Sequence, residues 1–416
     1  MLWSFLYFFA LLSSYYLLRP VREEMGIRSG VENLQWLFTG TFVATAIALP
    51  IFGAMVVRWP RRRLLPAVYW GFAGQLAAFF FVMEAGLYAP AVAAAFFIWL
   101  SVFNVFVVSV FWSFMADIFS NEQARRLYGP IAAGGTIGAI TGPALTAILV
   151  NRVGVANLLL IAAVLLGLAV FCIGRLDRWA VSHPKPQREG EEKAVGGTIW
   201  AGVRLTISSR YLAGIAAFVL LLTVLATVIY FEQARVVEAS SESSAQRTQI
   251  FAQIDLAVNA LTVVTQLFVT NRLIGTFGVA GVLTGVMLLN GAGYLALGIA
   301  PSLTTLAVFQ VFRRAMEYSL IRPAREVLFT VTSREEKYKA KNFIDTVVFR
   351  GGDVVSAWLV AAFQAVGAGV LYTAFFAATT ALAAAVLGWS LGRRQETLRA
   401  QEHPVELAPA ERKLTA

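Results

Sequence analysis

Between positions 313 and 326 the chain places Arg313, Arg314, Arg322 and Arg325 beside Glu317 and Glu326, in a stretch whose flanks are apolar. Charges at bilayer depth cost several kcal/mol, so they pair with one another, snorkel to an interface or line a polar path. On a helix turning about 100° per residue, Arg314, Tyr318, Ile321, Arg322 and Arg325 share one stripe with Glu317 at its edge. Guanidinium forks match carboxylate and phosphate oxygens, so one reading is capture of an anionic solute. The competing reading is internal: Arg313 with Glu317, Arg322 with Glu326, and snorkelling of Arg322 and Arg325.

A second segment echoes the first. Tyr15-x-Leu17-Leu18-Arg19-Pro20-x-Arg22-Glu23 returns as Tyr318-x-Leu320-Ile321-Arg322-Pro323-x-Arg325-Glu326. Tyr15, Arg19, Arg22 and Glu23 fall on one helical face, and each proline removes an N–H and predicts a kink. Farther on, Asn342, Asp345, Asp353 and Ser356 share a stripe with Arg350 to its side. Asp353 there neutralises a nearby arginine, or Asp345 or Asp353 carries a coupling proton. Asn104, Trp112 and Asp117, and likewise Asp255, Asn259 and Gln266, are polar enough to line a cavity or to bond a neighbouring helix. Gly134, Gly138 and Gly142, followed by Pro143, form a small-residue seam for close helix packing.

The elements that carry these residues are membrane spans. The 416 residues are 58% hydrophobic and 14% charged, with mean hydropathy +0.69, which rules out a soluble globule. Apolar runs between charge clusters give twelve spans, near 2–25, 33–57, 64–84, 91–119, 126–150, 153–174, 208–232, 248–270, 276–299, 302–331, 340–365 and 368–392. Met1 opens directly into the first of them, which reads as a span and not as a cleaved leader. The expected organisation is a six-helix bundle over 1–174, a cytoplasmic linker over 175–206, a second six-helix bundle over 207–392 and a cytoplasmic tail over 393–416. With both termini inside, 23 Lys and Arg lie in inner segments against six in outer ones, a bias that favours this orientation. The halves overlay at an offset of 213 residues, pairing Ser120 with Ser333 and Gly138 with Gly351. Repeated half-bundles with a midplane site are the pattern of alternating-access carriers.

Other chemistries lack their parts. The single Cys172 forms no intrachain disulfide, His183 and His403 fall in the linker and tail, and no His-Glu-x-x-His or Gly-x-x-x-x-Gly-Lys-Ser/Thr motif occurs. No enzyme, cofactor or metal is expected, and the net charge of +10 is assigned to orientation, anionic lipid and solute, not to nucleic acid.

The six-and-six division resembles the major facilitator architecture. Gly53-x-x-x-Val57-Arg58-x-Pro60-Arg61-Arg62-Arg63 looks like a copy of that family's basic motif between spans 2 and 3, with Val57 for its usual Asp and Pro60 for its usual Gly. Gly138-x-x-x-Gly142-Pro143 is similar to part of the antiporter motif of span 5, without its closing glycine pair. Three segments resemble the ATP/ADP translocases, the nucleotide transporters of plastids and intracellular bacteria. They are Tyr15–Glu24, Phe111-Trp112-Ser113-Phe114 through Glu122-Gln123-Ala124-Arg125-Arg126-Leu127-Tyr128, and Lys339-Ala340-Lys341-Asn342-Phe343-Ile344-Asp345. Asp353 stands where those translocases commonly carry a Lys. The resemblance implies an all-α membrane protein of twelve transmembrane helices in two pseudo-symmetric bundles. It implies a monomeric secondary active transporter in a bacterial inner membrane, moving a small anionic solute, with a nucleotide or phosphorylated metabolite among the candidates. A proton-coupled exporter of another solute class, or a lipid scramblase or channel, is the alternative.

On this reading the solute is held by Arg314, Tyr318, Arg322, Arg325, Arg19, Arg22, Tyr15, Asn104, Trp112 and Asn259. Coupling or charge pairing falls to Glu23, Glu317, Glu326, Asp345, Arg350, Asp353 and Asp255. Arg58, Arg61, Arg62 and Arg63 form a cytoplasmic gate. Arg19 and Arg22 belong to the outer half of their span and Arg322 and Arg325 to the inner half of theirs, so the two segments are expected to act as separate gates.

Overall fold

The computed structural model describes residues 1–87, 89–182 and 199–402; at 52, 56, 57, 61, 63, 199–201, 334, 335 and 402 it describes the backbone alone. Among these residues every regular element is helical. The helices are α1 (Leu2–Arg28), α2 (Leu34–Arg58), α3 (Arg61–Glu84), α4 (Pro90–Ile118), α5 (Asn121–Val153), α6 (Val155–Ser182), α7 (Ile199–Ser208), α8 (Arg210–Ser240), α9 (Ser244–Phe268), α10 (Thr270–Ile299), α11 (Leu303–Met316), α12 (Arg322–Leu328), α13 (Arg334–Phe343), α14 (Phe349–Ala365) and α15 (Val370–Glu402). A π-helical turn, Glu317–Ile321, joins α11 to α12, and another, Ile344–Val348, joins α13 to α14. Among the described residues ten helical segments are long and apolar enough to cross a membrane. Helix α1 and the charged segment from Leu303 to Leu328 stand where the other two expected spans lie.

Several ends differ from those read off the sequence. Helix α6 continues to Ser182 and α15 to Glu402, because amphipathic charged turns propagate a helix beyond its apolar run. The short helix α7 precedes α8 and occupies part of the expected linker. The remainder of that linker, with His183, and the tail from His403 lie outside the described residues.

The chain forms two compact units. The first comprises Met1–Glu191 with Phe231–Ala260, and the second Glu192–Tyr230 with Leu261–Ala416. In the first, α1 packs against α4, α5 and α6, α2 packs on α4, and α3 on α6. The glycine seam sets the closeness of α1 and α5. A Cβ on Gly134 would meet Phe5 O at 2.5 Å, on Gly138 Phe9 O at 2.6 Å and on Gly142 Leu17 N at 2.7 Å. Buried hydroxyls tie α1 to both neighbours: Thr146 Oγ1 of α5 donates to Leu17 O at 2.8 Å, and Ser14 Oγ of α1 to Ala162 O of α6 at 3.0 Å.

In the second unit α10 packs along α15, and α7 lies on α13, where a Cβ on Gly202 would meet Lys339 O at 2.7 Å. The sequence echo at offset 213 has a local cause. Ser120 caps α5 and Ser333 caps α13, each in a reciprocal capping box, with Gln123 and Glu336 respectively. Helix α1 runs unbroken through Pro20. At Pro323, by contrast, the helix changes to a π-turn.

A cationic site in each unit

Pro323 has no N–H with which to close a regular helical turn. The chain answers with the π-turn: the N–H of Arg322 donates to the carbonyl of Glu317, five residues back. The carbonyls of Tyr318 and Ser319 accept instead from side chains, Gln266 Nε2 at 3.3 Å and Thr270 Oγ1 at 2.9 Å. Of the two readings of Gln266, a cavity lining or a bond to a neighbouring helix, this contact is the second.

The extra residue in that turn overturns part of the helical-wheel reading, because each inserted residue rotates the downstream part of the helix by about 100°. A π-turn stacks residues five apart, so Arg322 Nη2 lies 3.8 Å from Glu317 Oε1 and not against Glu326. Glu326 is taken by Lys341 Nζ at 2.6 Å. The pairing of Arg313 with Glu317 holds, Nη1 to Oε2 at 3.1 Å, while Arg313 Nε donates to Gln310 Oε1 at 3.1 Å. Arg325 Nη2 of α12 reaches Asp345 Oδ1, within the second π-turn, at 3.0 Å. The Tyr318 ring sits 6.0 Å from the Arg314 guanidinium and 4.5 Å from that of Arg322. Arg313 and Arg314 are 7% and 6% exposed. The group holds five cations, Arg313, Arg314, Arg322, Arg325 and Lys341, against the carboxylates of Glu317, Glu326 and Asp345.

The other arginine segment lies in the first unit. Arg19 Nε is 3.6 Å from Asp255 Oδ2, and its guanidinium stands 5.9 Å from the Tyr16 ring. Tyr15 stacks edge-on against Tyr16 at 5.1 Å. Arg22 donates through Nε to Ser101 Oγ at 3.1 Å and through Nη1 to Glu23 Oε1 at 3.0 Å, with its guanidinium 3.8 Å over the Phe97 ring. Next to these is a pair the sequence did not reveal. Glu24 is fully buried and accepts a two-pronged bond from Arg247 of α9, Nε to Oε2 and Nη2 to Oε1, both at 2.7 Å. Arg28 Nε adds a third contact at 3.6 Å. In the sequence Arg247 reads as an outer-loop charge, and no local pattern marks a partner 223 residues away.

The remaining candidates scatter. Trp112 packs into an aromatic group with Phe8, Phe111 and Tyr128. Asn259 Nδ2 donates to Ala139 O at 2.7 Å, a helix-to-helix bond of α9 to α5. Asn104 is half-buried on α4. Arg350 Nη1 and Asp353 Oδ2 are 3.9 Å apart, the neutralising arrangement and not a lone acid. Of the basic run, Arg62 Nε grips Asp177 Oδ2 at 2.6 Å and Arg58 is exposed. The side chains of Arg61 and Arg63 lie outside the described residues.

The Major Facilitator Superfamily profile matches residues 1–237, more than half of the chain. The chain belongs to that superfamily. Its fold agrees over nearly the whole length with solved major facilitator transporters. An auto-inhibited POT family peptide transporter superposes at a TM-score of 0.65 and 13% identity, covering 94% of this chain and 96% of that one. The nucleoside transporter NupG gives 0.63 and 13%, covering 96% and 97%, and a D-xylose-proton symporter 0.63 and 12%, covering 95% and 98%. No curated protein matches it by sequence. At these identities the likeness is one of fold, so the protein is an all-α membrane protein with the major facilitator transporter fold. In this major facilitator the two arginine-rich segments fall in different compact units, α1 in one and α11 to α12 in the other.

Proposed function

We propose that this major facilitator is a secondary active carrier of a small anionic solute, working by alternating access between two six-helix bundles with both termini cytoplasmic. The observation that carries the reading is the buried charge at the α11–α12 turn: Arg313 and Arg314 are 7% and 6% exposed, and Arg313 is paired with Glu317. Buried positive charge is costly unless compensated, and a phosphate or carboxylate supplies the compensation. Arg314 and Arg322 flank the Tyr318 ring, a geometry that offers a solute both charge and an aromatic face. The similarity of three segments to the ATP/ADP translocases supports exchange of nucleotides or phosphorylated metabolites in a bacterial inner membrane, although Asp353 departs from that pattern.

The reading is tested by counterflow. Proteoliposomes preloaded with unlabelled nucleotide, sugar phosphate or dicarboxylate should accumulate the matching labelled solute saturably, and neutral nucleosides, sugars and peptides should not. Uptake of a neutral class alone would overturn the anionic assignment, and non-saturating flux would replace a carrier with a channel.

A further inference from the structure

A second meeting of arginine and aromatic side chains lies at one end of the first unit. Trp3 is sixteen residues from Arg19, about 24 Å along α1, so this end is separate from the cationic site of the same helix. There a pocket of about 330 Å³ is lined by Met1, Trp3, Phe119, Arg175, Leu176, Arg178 and Trp179. That volume is at the lower end of small-molecule sites, about 300–1,000 Å³.

The lining is built from three helices. The Arg175 guanidinium stands 5.8 Å from the Trp3 ring and 5.1 Å from that of Phe171. Phe119 and Trp179 rings lie 5.8 Å apart. Arg178 Nε is turned back to Gly174 O at 3.2 Å. Asp177, the carboxylate between the two arginines, is held by Arg62, and among the described residues neither Arg175 nor Arg178 has a carboxylate partner. The pocket therefore presents two cations in an aromatic rim, the composition found where a bilayer meets water.

A second observation says what shape of ligand fits. From this end α6 continues with a bare apolar face: Phe171 is 48% exposed, Val164 73% and Leu160 36%. An anion with nothing attached would leave that face unused, whereas a two-part ligand covers both. We propose that the pocket seats the phosphate headgroup of an anionic phospholipid, with Arg175 and Arg178 on the phosphate and the acyl chains along α6. Guanidinium forks suit phosphate oxygens, and the indole of Trp3 keeps Arg175 oriented.

The test uses the purified full chain and phosphatidylglycerol. In native mass spectrometry with equal phosphatidylglycerol and phosphatidylcholine, the parent protein should retain the anionic lipid about tenfold more, and the R175Q/R178Q variant should lose that preference. An unchanged preference in the variant overturns the site. Thermal shifts separate the two sources of phosphate: phosphatidylglycerol should stabilise the parent protein and free glycerol phosphate should not. Equal stabilisation by glycerol phosphate would make this a site for a soluble anion and overturn the lipid assignment. Should the variant fail to fold, a photoactivatable phosphatidylglycerol on the unmodified protein decides. Adducts on peptides holding Trp3 or residues 171–179 support the site, and adducts confined elsewhere overturn it.

Discussion

Arg247 holds Glu24 by a two-pronged bond, Nε to Oε2 and Nη2 to Oε1 at 2.7 Å each, joining α9 to α1 within the first compact unit. Glu24 is fully buried, so its charge relies on this partner and on Arg28. Removing one member of a buried pair costs about 3–5 kcal/mol, because it strands the other. Arg247→Ala should lower the melting temperature of the purified protein clearly. The exchanged pair, Glu24→Arg with Arg247→Glu, should recover part of the loss. A single variant that melts like the parent would deny the pair any structural weight.

Arg314→Ala tests the solute assignment at one residue. Loss of a charge-assisted bond worth about 1.5–3 kcal/mol predicts transport weakened by roughly ten- to a hundredfold, with folded protein still in the membrane. Arg314→Lys should fall between, since it keeps the charge and loses the planar fork. Initial rates in counterflow against solute concentration give the answer, and normal transport by Arg314→Ala would refute the assignment.

The echoed segments make opposite predictions for conformation. Arg19 and Arg22 are expected near the outer mouth, and Arg322 and Arg325 near the inner one. Replacing the first two with Ala should favour the outward-open state, and replacing the second two the inward-open state, by about 1–3 kcal/mol each. Spin-label pairs across each mouth report the shift. Distance distributions that move the same way in both double variants would refute separate gates.

The α1–α5 seam predicts a sharp size limit. Gly138→Val places its branches against Phe9 O and Ser13 N, both backbone, and should destabilise by about 1–3 kcal/mol. Gly129→Ala, on the same helix in open space, should be neutral or stabilising. Thermal melts of the two variants side by side check the contrast.

What was legible in the sequence is what depends on near neighbours in the chain. The apolar runs, the Gly134–Gly142 seam, the Arg313–Glu317 pair and the Ser120 and Ser333 repeat all obey local periodicity, and the structure keeps them. Partners set by distant residues were not legible: Arg247 for Glu24, Lys341 for Glu326, Asp345 for Arg325. The stripe through Arg314 and Arg325 assumed a regular helix, and Pro323 broke the assumption by forcing a π-turn. The proline was visible, but whether it bends a helix, as expected for Pro20, or adds a residue to a turn depends on donors such as Thr270 and Gln266 on neighbouring helices.

The Glu24–Arg247 pair also sets an order in time. The two residues are 223 apart in sequence, and a ribosome moving at about 5–20 residues per second needs roughly 10–45 seconds to travel from one to the other. For that interval the newly inserted α1 carries a carboxylate destined for burial whose counterion has not been synthesised. Arg28, only four residues on, is available at once, so it is the first neutraliser of Glu24 and Arg247 the final one. The first compact unit is thus finished late, by residues of the second half of the chain, and a fragment ending at the linker lacks the cation that closes it.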